Sequence, residues 1–287
     1  MHLPFSISTQ SGAAAPLPRH ESALTIPSTR RSLKILFPPG HDWETNIRTG
    51  FAASAHEIAF ADFTPENIRQ YDLIVPLTIA DLYLLNDLRE AVYLNPIPIP
   101  SRESVALCDD KLLLNRTLIA SGFGRCIPRL GPAHRYPYVL KKRIDEWGLN
   151  SHIVSAPEDE ATLRAKVADA DYFCQECIFG RTEYTTHVVC RRGRIVRSTT
   201  IKVWFEEEVF IKGREPDCGR SLCDSPYLDL FEQILRSIGL EGLCCFNYKV
   251  ENSEPMIFEI NPRFGASLAP VFAEFIDYLT PARTESF

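Results

Sequence analysis

The sequence predicts an α/β protein with two unequal regions, an N-terminal βαβ lobe and a longer β-rich remainder. Two observations predict it. Between residues 31 and 105, short apolar runs alternate with segments of helical spacing, the pattern of strands joined by crossover helices in a parallel sheet. After residue 136, apolar runs follow one another with turn residues between them, the pattern of strands that pair as neighbours.

Taken in chain order, SLKILFPPG (32–40) reads as a short buried strand closed by a turn. ETNIRTGFAASA has helical spacing, AHEIAFADF and YDLIVPLT read as further strands, and TIADLYLLNDLREAVYL as a helix. SVALCDDKLLLNRTLIASGF is predicted as one helix with leucine and isoleucine on one face. YPYVLKK (136–142) reads as a strand, and DYFCQECIFGRTEYTTHVVC (171–190) as one or two more. RGRIVRSTTIKVWFEE continues the β-rich stretch after a turn at Arg192-Gly193. SPYLDLFEQILRSIGL carries apolar residues at 227, 230, 231, 234 and 235, one face of an amphipathic helix. LCCFNYKV and MIFEI, separated by the polar ENSEP, form a hairpin-like pair.

Composition narrows the function classes. Hydrophobic content of 45% and charged content of 24% fit a globular chain with an adequate core. A net charge of -6 argues against a nucleic-acid partner. No apolar run reaches the ~20 residues needed to span a bilayer, so no membrane association is expected. Residues 1–30 are rich in Ser, Pro and Ala and read as a flexible arm. They lack a basic segment followed by a long apolar core, so a secretory leader is not expected and the cytoplasm is the expected location. Nine scattered cysteines, an odd number without framework spacing, read as reduced thiols. Cys174 and Cys177 alone have a spacing that hints at zinc or redox chemistry. No second pair completes a site, and a packing role is expected for them. His152 and His187 read as structural, and the run Glu206–Glu208 as a solvated face.

The chemistry concentrates in MIFEINPRFGAS (256–267). Side chains alternate along a strand, which places Ile257, Glu259 and Asn261 on one face and Met256, Phe258 and Ile260 on the other. An acid inside a strand is costly unless it is paired or holds a metal. Pro262 ends the strand and sets Arg263 at its mouth. Across a hairpin turn near Glu254, Asn247 faces Glu259, so three oxygen-bearing side chains converge. Such a donor set suits Mg²⁺, which keeps waters and substrate phosphates in its shell. A structural ion pair between Glu259 and Arg263 is the competing reading.

These segments resemble the ATP-grasp superfamily, the enzymes that join a carboxylate to an amine through an acyl phosphate, from about residue 31 to 287. FEINPRFGAS is similar to its metal-binding segment, especially in carbamoyl phosphate synthetase-like members. GLCCFNYKV resembles the strand that supplies the other metal ligand, CDDK and YPYVLKK the two lysine-bearing segments, and QECIFGRTEYT the hinge that holds adenine and ribose. The resemblance implies an N-terminal βαβ lobe (31–105) followed by a two-lobed ATP-grasp domain (106–287). Its central lid would run over about 123–180 and its C-terminal lobe over about 181–287.

The resemblance also assigns roles. Lys111 and Lys141 would contact ATP phosphates, Lys141 being preferred to Lys142. Glu176 would accept from the adenine amino group, and the backbone of Cys177 and Ile178 would bind the ring edge. Glu183 would take the ribose hydroxyls. Asn247, Glu259 and Asn261 would hold Mg²⁺, and Arg263 would stabilise the transferring phosphoryl group. Lys212, rather than Lys202, would supply a further phosphate contact.

Two departures stand out. Asn247 replaces an acidic residue or Gln. The phosphate-covering loop, RIDEWGLNSHIV (143–154), has Gly148 alone, so Asn150 and Ser151 are expected to donate hydrogen bonds in place of glycine N–H groups. The function implied is an ATP- and Mg²⁺-dependent ligase acting on a small-molecule carboxylate and amine. A non-catalytic nucleotide-binding regulatory module and a kinase-like phosphotransferase are the alternatives. A homodimer is compatible with the resemblance and is not fixed by the sequence.

Overall fold

The computed structural model describes residues 32–89, 99–131, 136–146 and 148–280, so the expected arm at 1–30 lies outside the described residues. The first strands are β1 (Lys34–Phe37), β2 (Glu57–Phe60) and β3 (Leu73–Ile74). They pair in parallel in the order β2-β1-β3. Between and after them run α1 (Glu44–Phe51), α2 (Pro65–Ile68) and α3 (Ile79–Arg89). Parallel neighbours need crossover connections, and α1 and α2 provide them.

The stretch predicted as one helix is two, α4 (Arg102–Asp109) and α5 (Lys111–Leu118). Asp110 stands between them in an extended conformation (φ -83°, ψ 94°), and its carboxylate accepts from the backbone N–H of Leu113 at 3.0 Å. The side chain therefore caps the second helix, satisfying one of the donors that a helix start leaves over. Arg143 anchors the same carboxylate from the following lobe. The break turns Lys111 into the first residue of α5.

A small antiparallel sheet comes next, β4 (Tyr138–Lys142), β5 (His152–Val154) and β6 (Tyr172–Glu176) in the order β5-β4-β6. Two short helices, α6 (Pro157–Thr162) and α7 (Arg164–Val167), cover one face of it through Leu163 and Val167. Sequence periodicity gave no sign of β5, which has three residues.

The largest sheet is antiparallel: β7 (Thr182–Arg191), β8 (Arg194–Trp204), β9 (Gly219–Cys223), β10 (Gly242–Glu251) and β11 (Glu254–Asn261), in the order β11-β10-β7-β8-β9. Arg192 and Gly193 make the β7–β8 turn, as expected. α8 (Leu228–Ser237) lays Phe231, Ile234 and Leu235 against the back of this sheet, with the Phe231 ring stacked on Phe246 at 4.1 Å.

β10 and β11 pair as the sequence predicts, with Asn247 opposite Glu259. The register then slips: Tyr248 pairs with Ile257, which leaves Phe258 as the extra residue of a β-bulge. The expected alternation is thereby corrected. Ile257 joins Ile260 in the core behind the sheet, and Phe258 joins Glu259 and Asn261 on the open face.

A 3-10 segment (Ala266–Phe275) and α9 (Ile276–Leu279) follow and return to the N-terminal sheet. Phe264, Leu268, Phe272 and Phe275 share one core with Ile35, Phe37, Ile47 and Phe51. The approach is close enough to exclude a side chain: a Cβ on Gly50 would lie 2.1 Å from the Ala269 carbonyl oxygen.

The cap at Asp110 gives a test. Asp110→Ala is expected to lower stability by about 1–2 kcal/mol, read as a lower denaturant midpoint at unchanged slope. Asp110→Asn, which can still accept from Leu113, is expected to lose less than half as much.

Candidate active site

Between the β5-β4-β6 sheet and the large sheet lies a cavity of about 350 Å³. Eleven residues singled out from the sequence as nucleotide, metal or catalytic candidates line it: Lys111, Lys141, Glu176, Cys177, Ile178, Glu183, Lys212, Asn247, Glu259, Asn261 and Arg263. Their elements explain the convergence. α5 brings Lys111, β4 brings Lys141, and the end of β6 brings Glu176. β7 brings Glu183, and the hairpin β10–β11 brings Asn247, Glu259 and Asn261. Lys142 alternates with the cavity-lining Lys141 on its strand, and neither Lys142 nor Lys202 is among the lining residues.

Glu259 is the centre of the charge arrangement. One carboxylate oxygen, Oε1, accepts from Asn247 Nδ2 at 2.7 Å and from Asn261 Nδ2 at 3.1 Å. The other, Oε2, lies 3.8 Å from Lys111 Nζ. Desolvation alone would raise its pKa. The Lys111 ammonium, the Asn261 amide, the Lys141 ammonium and the Asn247 amide outweigh that and hold it at about 2. Asn247 is itself oriented, its Oδ1 accepting from Thr185 Oγ1 at 2.9 Å. Arg263 does not pair with Glu259. It donates to the Phe264 carbonyl at 3.0 Å and reaches Glu146 at 3.5 Å, with its guanidinium 5.8 Å from the Trp43 ring.

Lys141 donates to Gln175 Oε1 at 2.7 Å and lies 5.1 Å from the Phe258 ring. Desolvation in the cavity wall pulls its pKa down to about 8 against the raising pull of Glu259. Lys212 pairs with Glu183 at 3.1 Å. The Glu176 carboxylate is taken in two-pronged fashion by Arg129, at 3.0 Å from Nε and 2.6 Å from Nη2. In this state it is therefore held by protein rather than turned to a ligand amine. Ser151 lines the cavity, whereas the Asn150 amide and backbone N–H are bound by Asp145. The expected donor role of Asn150 is corrected accordingly. Glu206–Glu208 are exposed, as expected.

Several cavity residues were not singled out by the sequence reading. Cys245 and Lys249 flank Asn247 by two residues on either side of the same strand face, so alternation alone could have found both. The Lys249 ammonium is buried, donates to the carbonyls of Ile178 and Glu208 at 3.0 and 2.9 Å, and lies 3.9 Å from the Phe210 ring centroid. It ties the hinge to the loop after β8. Ser267 ends the quoted stretch MIFEINPRFGAS without having been given a role, whereas Trp43 arrives from a distant segment and carries no local signal. His187, fully buried on β7, contacts Ser267 Oγ at 2.9 Å, and burial pulls its pKa down to about 3, so it is neutral. A Cβ on Gly265 would stand 2.7 Å from the His187 ring, so glycine is what lets this loop lie on the sheet. Cys174 is partly exposed and Cys177 buried, and among the described residues no cluster of three or more His, Cys, Asp or Glu is placed to hold a metal.

Comparison with known proteins adds the class. Neither the family models nor the curated protein sequences compared give a match. Among solved structures, D-alanine–D-alanine ligase from Bacillus anthracis is similar at a TM-score of 0.60 and 13% identity, over 85% of this chain and 91% of that one. Carboxyaminoimidazole ribonucleotide synthase from Aspergillus clavatus, complexed with ATP, is similar at 0.57 and 16%, over 89% and 79%. A RimK domain ATP-grasp protein from Sphaerobacter thermophilus is similar at 0.54 and 17%, over 85% and 99%. The chain has the ATP-grasp fold. No helix among the described residues is long and apolar enough to cross a membrane.

The depressed Glu259 carboxyl fixes a pH dependence. Its pKa falls from an ordinary 4.5 to about 2 on folding. The stabilisation is therefore complete above pH 4.5 and is lost as pH falls toward 2. Denaturant midpoints of wild type and Glu259→Gln, compared across pH, are expected to differ by on the order of 3 kcal/mol at neutrality, with the gap closing over that window. A gap that is flat with pH contradicts the charge assignment.

Proposed function

We propose that the protein is an ATP-dependent ligase that activates a small-molecule carboxylate as an acyl phosphate and joins it to an amine. The observation that carries this reading is the convergence, on one cavity, of an ionised Glu259 held by two carboxamides with the cations Lys111, Lys141, Lys212 and Arg263. A purely structural carboxylate has no need of so many cations around an open space. The ATP-complexed carboxyaminoimidazole ribonucleotide synthase of the same fold supports a nucleotide here.

The donor chemistry fits Mg²⁺. Glu259 would offer a carboxylate and Asn261 an amide oxygen, with Asn247 Oδ1, which accepts from Thr185, as a further oxygen, a set that substrate phosphates and waters would complete, as Mg²⁺ prefers. When bound, the ion would neutralise charge on the β- and γ-phosphate oxygens.

The chain's own groups do the rest. Lys111 and Lys141 hold the triphosphate as point cations. The hinge at Glu176–Ile178 and the buried Lys249 brace behind it position the base. A substrate carboxylate oxygen attacks the γ-phosphorus, the bond to the β,γ-bridging oxygen breaks, and ADP leaves. The amine then attacks the acyl carbon, phosphate departs, and the amine loses a proton to give the amide. Both steps develop negative charge at fixed places, and Arg263 stands where a preorganised cation acts on it. No side chain serves as a nucleophile, so positioning and electrostatics carry the reaction.

A phosphate-release screen of acid and amine pairs with ATP tests this. One pair is expected to stimulate release and to yield an amide. With that pair, Arg263→Ala is expected to lower kcat by about 100-fold or more while leaving nucleotide binding within a few-fold. A phosphorylated acid that accumulates with no amide would make the protein a phosphotransferase instead. Absence of turnover despite tight nucleotide binding would make it a binding module.

A further inference from the structure

Two cavity-lining side chains, Gln175 and Arg263, carry a buried polar atom with no partner among the described residues. Gln175 is 1% exposed and lines the cavity. Its Oε1 accepts from Lys141 Nζ at 2.7 Å, and its Nε2 has no hydrogen-bond partner. The orientation of the amide is dictated by Lys141: turned over, it would set two donors against each other. Buried amide N–H groups are nearly always paired, and an unpaired one carries the full cost of its desolvation. A side chain fixed in that cost by a neighbouring ammonium points to an acceptor that arrives with a ligand.

The surroundings say what kind of acceptor. Gln175 pairs across the sheet with Val139 and immediately precedes the hinge Glu176–Ile178. Val139, Cys177, Ile178 and Phe210 line the cavity and give this part of it apolar walls. Lys111, by contrast, lies against Glu259. An apolar slot with an amide donor in its wall suits an aromatic heterocycle with a ring nitrogen. It does not suit a phosphate, which would need several donors.

We propose that Gln175 reads the nucleobase, donating from Nε2 to a ring nitrogen. This inference rests on the reading of the cavity as a nucleotide site.

The test is a competition titration with Mg²⁺ present, using ATP, 1-, 3- and 7-deaza-ATP, and inorganic tripolyphosphate on wild type, Gln175→Met and Gln175→Glu. In wild type, replacing one of the three ring nitrogens is expected to weaken binding at least fivefold through the Gln175 contact. In Gln175→Met that same replacement is expected to cost less than twofold, with tripolyphosphate affinity within about threefold of wild type. Gln175→Glu keeps an acceptor for Lys141 and removes only the donor, so it is expected to lose the same discrimination. Deaza penalties that are equal in wild type and both variants overturn the proposal. So does a fall in tripolyphosphate affinity as large as the fall for ATP, which would send the donor to a phosphate. If wild type binds neither ATP nor tripolyphosphate, the nucleotide reading itself fails.

Discussion

The site is organised around one ionised carboxylate kept in a partly desolvated cavity. Burying a charge is unfavourable unless other groups compensate, and here the compensation comes from separate parts of the chain. Two amides on the β10–β11 hairpin hold one oxygen of Glu259, and Lys111 at the start of a helix faces the other. Lys141, on a different sheet, adds its field. The lobes are therefore joined electrostatically at the place where their surfaces open. Like charges crowd the same space, and cations gathered around so few anions are most favourable when a polyanion enters.

Two small backbone features make the arrangement possible. The bulge at Phe258 lets the strand keep Ile257 and Ile260 in the core while Phe258, Glu259 and Asn261 all reach the cavity. An unbroken strand would have sent Phe258 into the core and Ile257 into the cavity. The break at Asp110 is the second. It ends one helix, caps the next, and places Lys111 on the first turn, where its stem can swing toward Glu259. Arg143 ties that cap to the small sheet, so the local turn and the relation between lobes share one carboxylate.

The strand-borne part of the site was legible in the sequence because alternation is short-range: Glu259 and Asn261 two apart, Asn247 across a turn. The lysines and the hinge became legible through resemblance of short segments. What escaped did so for physical reasons. The bulge carries no glycine to mark it, and its existence is decided by which side chains the core accepts. The helix break had a signal in the aspartate before Lys111, an N-cap residue, but the continuous leucine pattern masked it. Trp43 reaches the cavity through the aromatic core that joins the first sheet to the last segment, a contact no local pattern encodes. The unpaired amide of Gln175 depends on how Lys141 is turned, which only the folded side chains reveal.

The central claim is that Glu259 serves a metal-bound nucleotide. The most direct measurement is calorimetric titration of wild type and Glu259→Gln with a non-hydrolysable ATP analogue, with and without Mg²⁺. The account predicts binding to wild type that strengthens with Mg²⁺ and is weakened at least tenfold in the variant, the loss being confined to the Mg²⁺-dependent part. Equal binding by both proteins, unaffected by Mg²⁺, would contradict it and leave Glu259 as a structural partner of Lys111.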